Sequence, residues 1–197
     1  MQINFKPVLR LAAAGLFALM ALAPSAAQPT LPATSLYQLS VPLTDSLGRR
    51  FDWRQLAGRP ALVTMFYGDC NTACPIIIEN LRRTVAQLKL KPGHHPLAVL
   101  MVSLDPLHDS PPALADLATR HQLDPAIFRL AVAVDETHTR AMAAALQVKY
   151  RSMEGGVINH TTRVSLLDAG GSVIASSTQL APDPEPAFLA QIRQALK

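Results

Sequence analysis

Three short apolar runs, residues 61–67 (ALVTMFY), 97–104 (LAVLMVSL) and 130–134 (LAVAV), do most to limit what this chain can become. None alternates polar with apolar residues, so each suits a strand buried on both faces. The segments between them have helical spacing. Pro75 is suited to a first helical position, and Leu81, Val85 and Leu88 recur until Pro92 and Gly93 stop the pattern. Ser110 with Pro111 and Pro112 opens a second helix through about Gln122, and the alanine-rich stretch 136–147 reads as a third. Segments 162–168 (TRVSLLD) and 172–176 (SVIAS), parted by Ala169, Gly170 and Gly171, form a hairpin, and Pro186 leads into an amphipathic helix around Phe188, Leu189, Ile192 and Leu196. Near the start, residues 36–53 make another short hairpin with its turn at Asp45 to Gly48. The pattern predicts an α/β fold: a mixed central sheet flanked by helices, with an N-terminal hairpin.

Ahead of this lies a different kind of segment. Lys6 and Arg10 precede an unbroken apolar run over residues 11–23, followed by small residues around Ser25 and Ala27, which are the three parts of a secretory signal peptide. The run is shorter than the roughly 20 apolar residues a spanning helix needs, and an uncleaved signal would keep the domain at the membrane surface. The expected organisation is a signal peptide over 1–27, a flexible leader over 28–36 and one domain over 37–197, working in the periplasm as a monomer. About 170 residues remain after cleavage, enough for one domain with a real core. The signal holds two of the 18 basic residues and none of the 14 acidic ones, so the mature balance is 16 against 14. With no basic stripe and few aromatic residues for base stacking, nucleic acid is excluded as a partner.

Cys70 and Cys74 are the only cysteines. A disulfide closing so short a loop would remove little entropy from the unfolded chain, so chemistry explains the pair better than stabilisation. They fall where the first buried strand hands over to a helix, the place where α/β sheets hold their ligands. Unpaired N–H groups at a helix start favour thiolate over thiol. Three intervening residues let both sulfurs turn to one side, within reach of one metal ion or of each other. Soft thiolates select Cu(I), zinc or iron–sulfur chemistry, and one added imidazole suits copper in either oxidation state. Of six histidines, His94 and His95 sit in a polar turn, His108 in a loop, and His121 and His138 on helix faces that meet solvent. His160, in the loop GGVINHTT before the strand 161–168, is the candidate third ligand by position; a surface histidine is the alternative. Met65, Met101 and Met142 belong to apolar segments and read as core, not as a methionine copper site.

FYGDCNTACP, then VSLDPLHDSP, then INHTTRVSLLDAGGSV resemble, in that order, the motifs of the Sco/SenC copper-chaperone family. The likeness covers essentially the whole mature domain. It implies a thioredoxin-like fold, copper as Cu(I) or Cu(II) held by Cys70, Cys74 and His160, and delivery to the copper-receiving subunit of cytochrome c oxidase, where the family helps to assemble the dinuclear copper site. Two positions depart from the family pattern: Asn71 stands where proline usually follows the first cysteine, and Asn159 where aspartate usually precedes the histidine. The second change removes a partner that could orient the imidazole. Asp105 and Asp109 match the family's DPxxD segment and read as turn and capping residues, with Asp105 close enough in sequence pattern to influence the thiols.

An enzyme reading stays open beside the carrier. In a thiol–disulfide oxidoreductase, Cys70 and Cys74 would be the redox pair, one attacking a target disulfide and the other resolving the mixed intermediate. A thiol peroxidase would need Thr or Ser three residues before the attacking cysteine, where this chain has Tyr67.

Overall fold

The computed structural model describes residues 1–2 and 31–197 apart from Asn71 and Pro92. Nearly all of the segment expected to be the signal peptide therefore lies outside the described residues. Residues Leu31–Lys197 form one compact unit, and among the described residues no helix is long and apolar enough to cross a membrane.

The apolar runs become the centre of a seven-stranded sheet. Strands β3 (Ala61–Phe66) and β4 (Ala98–Ser103) are buried at every residue, as unbroken apolar sequence requires. They pair in parallel with each other, and β4 pairs in parallel with β5 (Phe128–Ala133). Helices α1 (Ala73–Leu88) and α2 (Pro111–Arg120) supply the crossovers that parallel pairing needs. The hairpin β1 (Pro42–Asp45) and β2 (Arg50–Asp52) adds antiparallel strands beside β5. After α3 (Glu136–Ala145) the chain leaves the sheet, forming a separate two-stranded ribbon from β6 (Tyr150–Ser152) and β7 (Ile158–His160). It returns as β8 (Val164–Leu167), antiparallel to β3, then β9 (Val173–Ser177) and α4 (Pro186–Ala195). The order across the main sheet is β2-β1-β5-β4-β3-β8-β9.

Two local expectations change. The segment around His160 is not an irregular loop: residue 160 ends β7, whose backbone pairs with β6 through Tyr150 opposite His160. Three-residue strands split by Gly155 and Gly156 leave too short a pattern for periodicity to reveal. Helix α1 also starts earlier than Pro75. Thr72 is its N-cap, and proline sits at the third helical position, where its missing N–H would have had no intrahelical partner. At the other end Lys89, with φ 50°, closes the helix in left-handed geometry.

Met65, Met101 and Met142 are buried, as their apolar segments predicted. Two polar anchors tie the N-terminal region to this core. Buried Trp53 donates its indole N–H to the Leu39 carbonyl at 2.6 Å and packs edge-on against Tyr37. Asp45 carries its carboxylate inside the first hairpin turn, accepting the Leu47 and Arg49 N–H groups and the Arg49 and Arg129 guanidinium groups at 2.9–3.0 Å.

Candidate metal centre

Strand β3 ends at Phe66, whose carbonyl is taken by the Leu104 N–H at the end of β4. The next residues turn sharply. The Cys70 N–H donates to the Tyr67 carbonyl, and the Gly68 N–H donates to the Asp109 carboxylate at 2.9 Å. Gly68 is needed for this approach, since a Cβ there would lie 2.3 Å from Asp109 Oδ1. The Asp109 carboxylate also accepts the Ser103 hydroxyl. Asp109 thus holds the cysteine turn to the end of β4, a structural role of the kind its capping pattern suggested. Burial, the largest influence on it, pushes its carboxyl above the usual range despite these donors. Asp105 instead faces His108, 2.8 Å from Nδ1.

The turn delivers Cys70 to the start of α1. Thr72 makes no side-chain cap, and the role falls to the Cys70 sulfur, which accepts the Cys74 N–H at 3.3 Å. Burial alone would raise the Cys70 thiol, but hydrogen bonds from the Cys74 thiol and the N–H groups of Cys74, Thr72 and Ala73 outweigh it and bring the thiol below its ordinary value. Cys74, inside the first turn, goes the other way: burial and the neighbouring Cys70 sulfur push it far up. Both thiols are free and buried.

His160 arrives from the ribbon. Its imidazole Nδ1 lies 3.2 Å from the Thr161 carbonyl. When Nδ1–H donates there, the neutral ring keeps Nε2 as the free ligand nitrogen, and this backbone oxygen does the orienting that a carboxylate at Asn159 would have done. Burial, the main influence on the ring, holds it below the usual imidazole range and so keeps it neutral. One ligand atom from each of Cys70, Cys74 and His160 falls within 4.8 Å of the others. The other histidines stay apart from this group; His138, for example, pairs with Asp135. An open cavity of about 490 Å³ adjoins the cluster, walled by Tyr67, Cys70, Ala73, Met153, Val157 and His160.

In the sequence Tyr67 reads as the last residue of a buried strand and as an argument against a peroxidase, and nothing there singles out Met153. Tyr67 proves central. Its buried ring stands edge-on to the His160 imidazole, with centroids 6.0 Å apart and planes at 83°. It also lines the cavity beside Cys70 and His160. Burial, then the adjacent Cys70 sulfur, raises the hydroxyl above the ordinary tyrosine range. Its place at the end of a buried strand, three residues before Cys70, was the available signal.

The sheet order, the crossover helices and a thiol–thiol–imidazole cluster at the strand-to-helix mouth define a thioredoxin-like domain with the donor set of a soft-metal site. The chain belongs to the SCO1/SenC family, whose model matches residues 32–197. No curated protein sequence matches the chain. Solved structures share the fold. A SCO1/SenC family lipoprotein from Bacillus anthracis is 18% identical with a TM-score of 0.72, covering 81% of this chain and 94% of its own. Arabidopsis thaliana ScoI, solved with copper bound, is 14% identical with a TM-score of 0.68, covering 80% of this chain and 96% of its own. BsSco, described as a member of the Sco family of cytochrome c oxidase assembly proteins and as holding a disulfide switch, is 18% identical with a TM-score of 0.65, covering 80% of this chain and 92% of its own.

Proposed function

We propose that this protein is an exported copper carrier: Cys70, Cys74 and His160 take up one copper ion, as Cu(I) or Cu(II), and pass it to the copper-receiving subunit of a respiratory oxidase. The observation that carries this reading is the convergence of two sulfurs and one imidazole nitrogen within 4.8 Å, from residues up to 90 positions apart. Two thiolates and an imidazole form a soft, mixed donor set suited to copper in both oxidation states. The Cys70 side of the cluster opens on the cavity, so an incoming thiolate or imidazole of a partner can reach the ion and take over its ligands one at a time. Membership of the SCO1/SenC family, and copper in a structure of the same fold, support the choice of cargo. Anaerobic titration of the reduced protein with Cu(I) and Cu(II), read in the thiolate charge-transfer region, tests it. One-to-one binding is expected, lost in Cys70→Ser, Cys74→Ser and His160→Ala; undiminished binding in all three variants would reject the site.

A second reading, reduction of a target disulfide, is favoured by the asymmetry of the thiols. Cys70 is lowered and reaches the cavity, as an attacking sulfur should, while Cys74 is raised and lies off the cavity wall, as a resolving thiol can. Cys70 thiolate would attack a target disulfide and expel a target thiolate. Cys74, giving up its proton, would then displace the second target sulfur and leave a Cys70–Cys74 disulfide. His160→Ala separates the two functions, because reductase activity that survives the loss of copper binding belongs to the cysteines alone.

A further inference from the structure

We propose that the outer face of the histidine ribbon, centred on Lys149 and Arg151, is the docking surface for an acidic segment of the protein that receives the copper. The inference deepens the carrier reading above by giving the chemistry of the recipient's surface, and it rests on that reading for the cargo.

Side chains on a strand alternate between its two faces, and residues directly opposite each other in a pair share one face. In the ribbon Tyr150 pairs with His160, Arg151 with Asn159 and Ser152 with Ile158. The pairing runs one residue further, because the Thr161 N–H donates to the Lys149 carbonyl at 2.9 Å and the Lys149 N–H donates to the Thr161 hydroxyl at 3.0 Å. One face therefore carries Tyr150, Ser152, Ile158 and His160, of which all but Ser152 are buried or half-buried against the domain. The other carries Lys149, Arg151, Asn159 and Thr161, all four exposed.

A cavity of about 290 Å³ opens on this cationic side, lined by Lys149, Arg151, Asn159 and Thr161 and also by His160. His160 lines the cavity beside Cys70 as well. The imidazole thus stands at the border of two recesses, one holding a sulfur and the other holding cations. Arg140 of the preceding helix α3 is paired with Glu136 at 2.8 Å, whereas among the described residues Lys149 and Arg151 form no ion pair. Glu154, the one carboxylate in residues 149–161, lines the sulfur-side recess instead.

The spacing selects the occupant. Two residues apart on a strand, the cations start roughly 7 Å from each other and point the same way. A small free anion needs donors that converge on one point, while carboxylates on alternate residues of an extended chain match donors spread along a strand. Arg151 can hold one carboxylate through two parallel N–H bonds, and the Asn159 amide opposite adds further donors. At the ribbon tip Met153 and Val157 are 43% and 53% exposed and wall the sulfur-side recess. The whole face therefore offers apolar surface next to the ion and charge to one side of it, the arrangement of a specific protein interface. A recipient gripped here is gripped by the arm that carries His160, beside the recess through which its own ligands reach the ion. Charges at a rim act mainly on the rate of encounter.

The surface is tested first without copper. A fluorescent peptide of alternating glutamates, free of cysteine, histidine and methionine, is titrated into the reduced, copper-free protein and its anisotropy is read. Binding is expected at about 0.01 M salt and should vanish near about 1 M. It should weaken about tenfold or more in Lys149→Glu/Arg151→Glu, and the matching glutamine peptide should not bind. The same peptides extended by two cysteines and a histidine then serve as copper acceptors. The glutamate version should take copper from the loaded protein about tenfold faster than the glutamine version, and the double variant should lose this advantage. Copper affinity of the double variant should be unchanged, which also reports that it is folded. Equal binding of the glutamate and glutamine peptides, or equal binding of the glutamate peptide to the double variant, overturns the docking surface and leaves the carrier reading standing. Glutamate-peptide binding by an unaltered protein that takes up no copper removes the carrier reading, and the recipient role of the segment with it.

Discussion

Cys70 and Cys74 are four positions apart in sequence and opposite in acidity, and the difference follows from where each sits on the first turn of α1. Cys70 is outside the helix, beneath its free N–H groups, and stands in for the missing N-cap side chain. Cys74 is inside the turn, away from those donors and beside another sulfur. Alkylation rates follow the thiolate fraction and access. In the reduced protein, iodoacetamide is therefore expected to modify Cys70 first, with a rate that rises with pH and reaches half its maximum below the ordinary thiol value of about 8.5. Cys74 should lag at every pH below its raised value. Mass spectrometry of the singly labelled species checks this, and equal labelling of both cysteines at neutral pH would contradict the assigned roles. At the same scale, the neutral state of half-buried His160 means that protons begin to compete with a metal for this ring only below the usual imidazole range.

At the level of elements, β3 and β4 were legible because burial on both faces leaves its mark on every residue of a strand, and β5 through the buried run that follows its half-buried Arg129. Helices α2 and α4 were legible through their opening prolines. The ribbon was not. Of its six strand residues only Ile158 is fully buried, so no alternation distinguishes it from a loop. The first hairpin shows how one residue can secure an element to the sheet. Asp45 lies in the turn of β1–β2, yet its carboxylate also receives Arg129 of β5, whose guanidinium stacks 3.3 Å from the Phe51 ring centre. Burial works against its charge, but the Arg49 N–H and the two guanidinium groups more than compensate and hold its pKa low. A depressed carboxyl contributes stability above the unfolded-state value of about 3.9 and loses it as pH falls through the folded-state value. Asp45→Asn should cost about 2–3 kcal/mol at neutral pH, where the charged hydrogen bonds are weakened. Denaturant midpoints measured from pH 7 down to pH 3 should converge for the variant and the unaltered protein, and parallel curves would exclude this role.

Across the whole molecule, the site is assembled from parts of unequal firmness. The cysteine turn hangs from the centre of the main sheet between β3 and β4, braced by Asp109. The histidine comes from a small exposed ribbon with its own pairing. Local opening is cheapest where few buried contacts resist it. Amide hydrogen exchange is therefore expected to be fast over residues 150–160 and slow over β3 and β4 in the copper-free protein. Loading with copper should slow exchange in the ribbon by bridging it to the cysteine turn. A ribbon already as protected as β4 without copper, or unchanged on loading, would show that the metal does not join the two parts. Such a division suits a carrier, because the ion can be released by moving the weaker arm without disturbing the core.

Local chemistry written along the chain determined the alternation of buried strands and helices, the helix-start position of the cysteine pair and the short list of histidines, since burial, capping and thiol acidity act over a few residues. Only the tertiary structure decided that His160 reaches the sulfurs, that it does so on a separate ribbon, and that the Tyr67 ring packs against its imidazole. Those facts depend on how β8 pairs with β3 and on where an excursion outside the sheet comes to rest. Neither is a property of neighbouring residues, because contacts between distant segments are fixed by packing the whole domain at once.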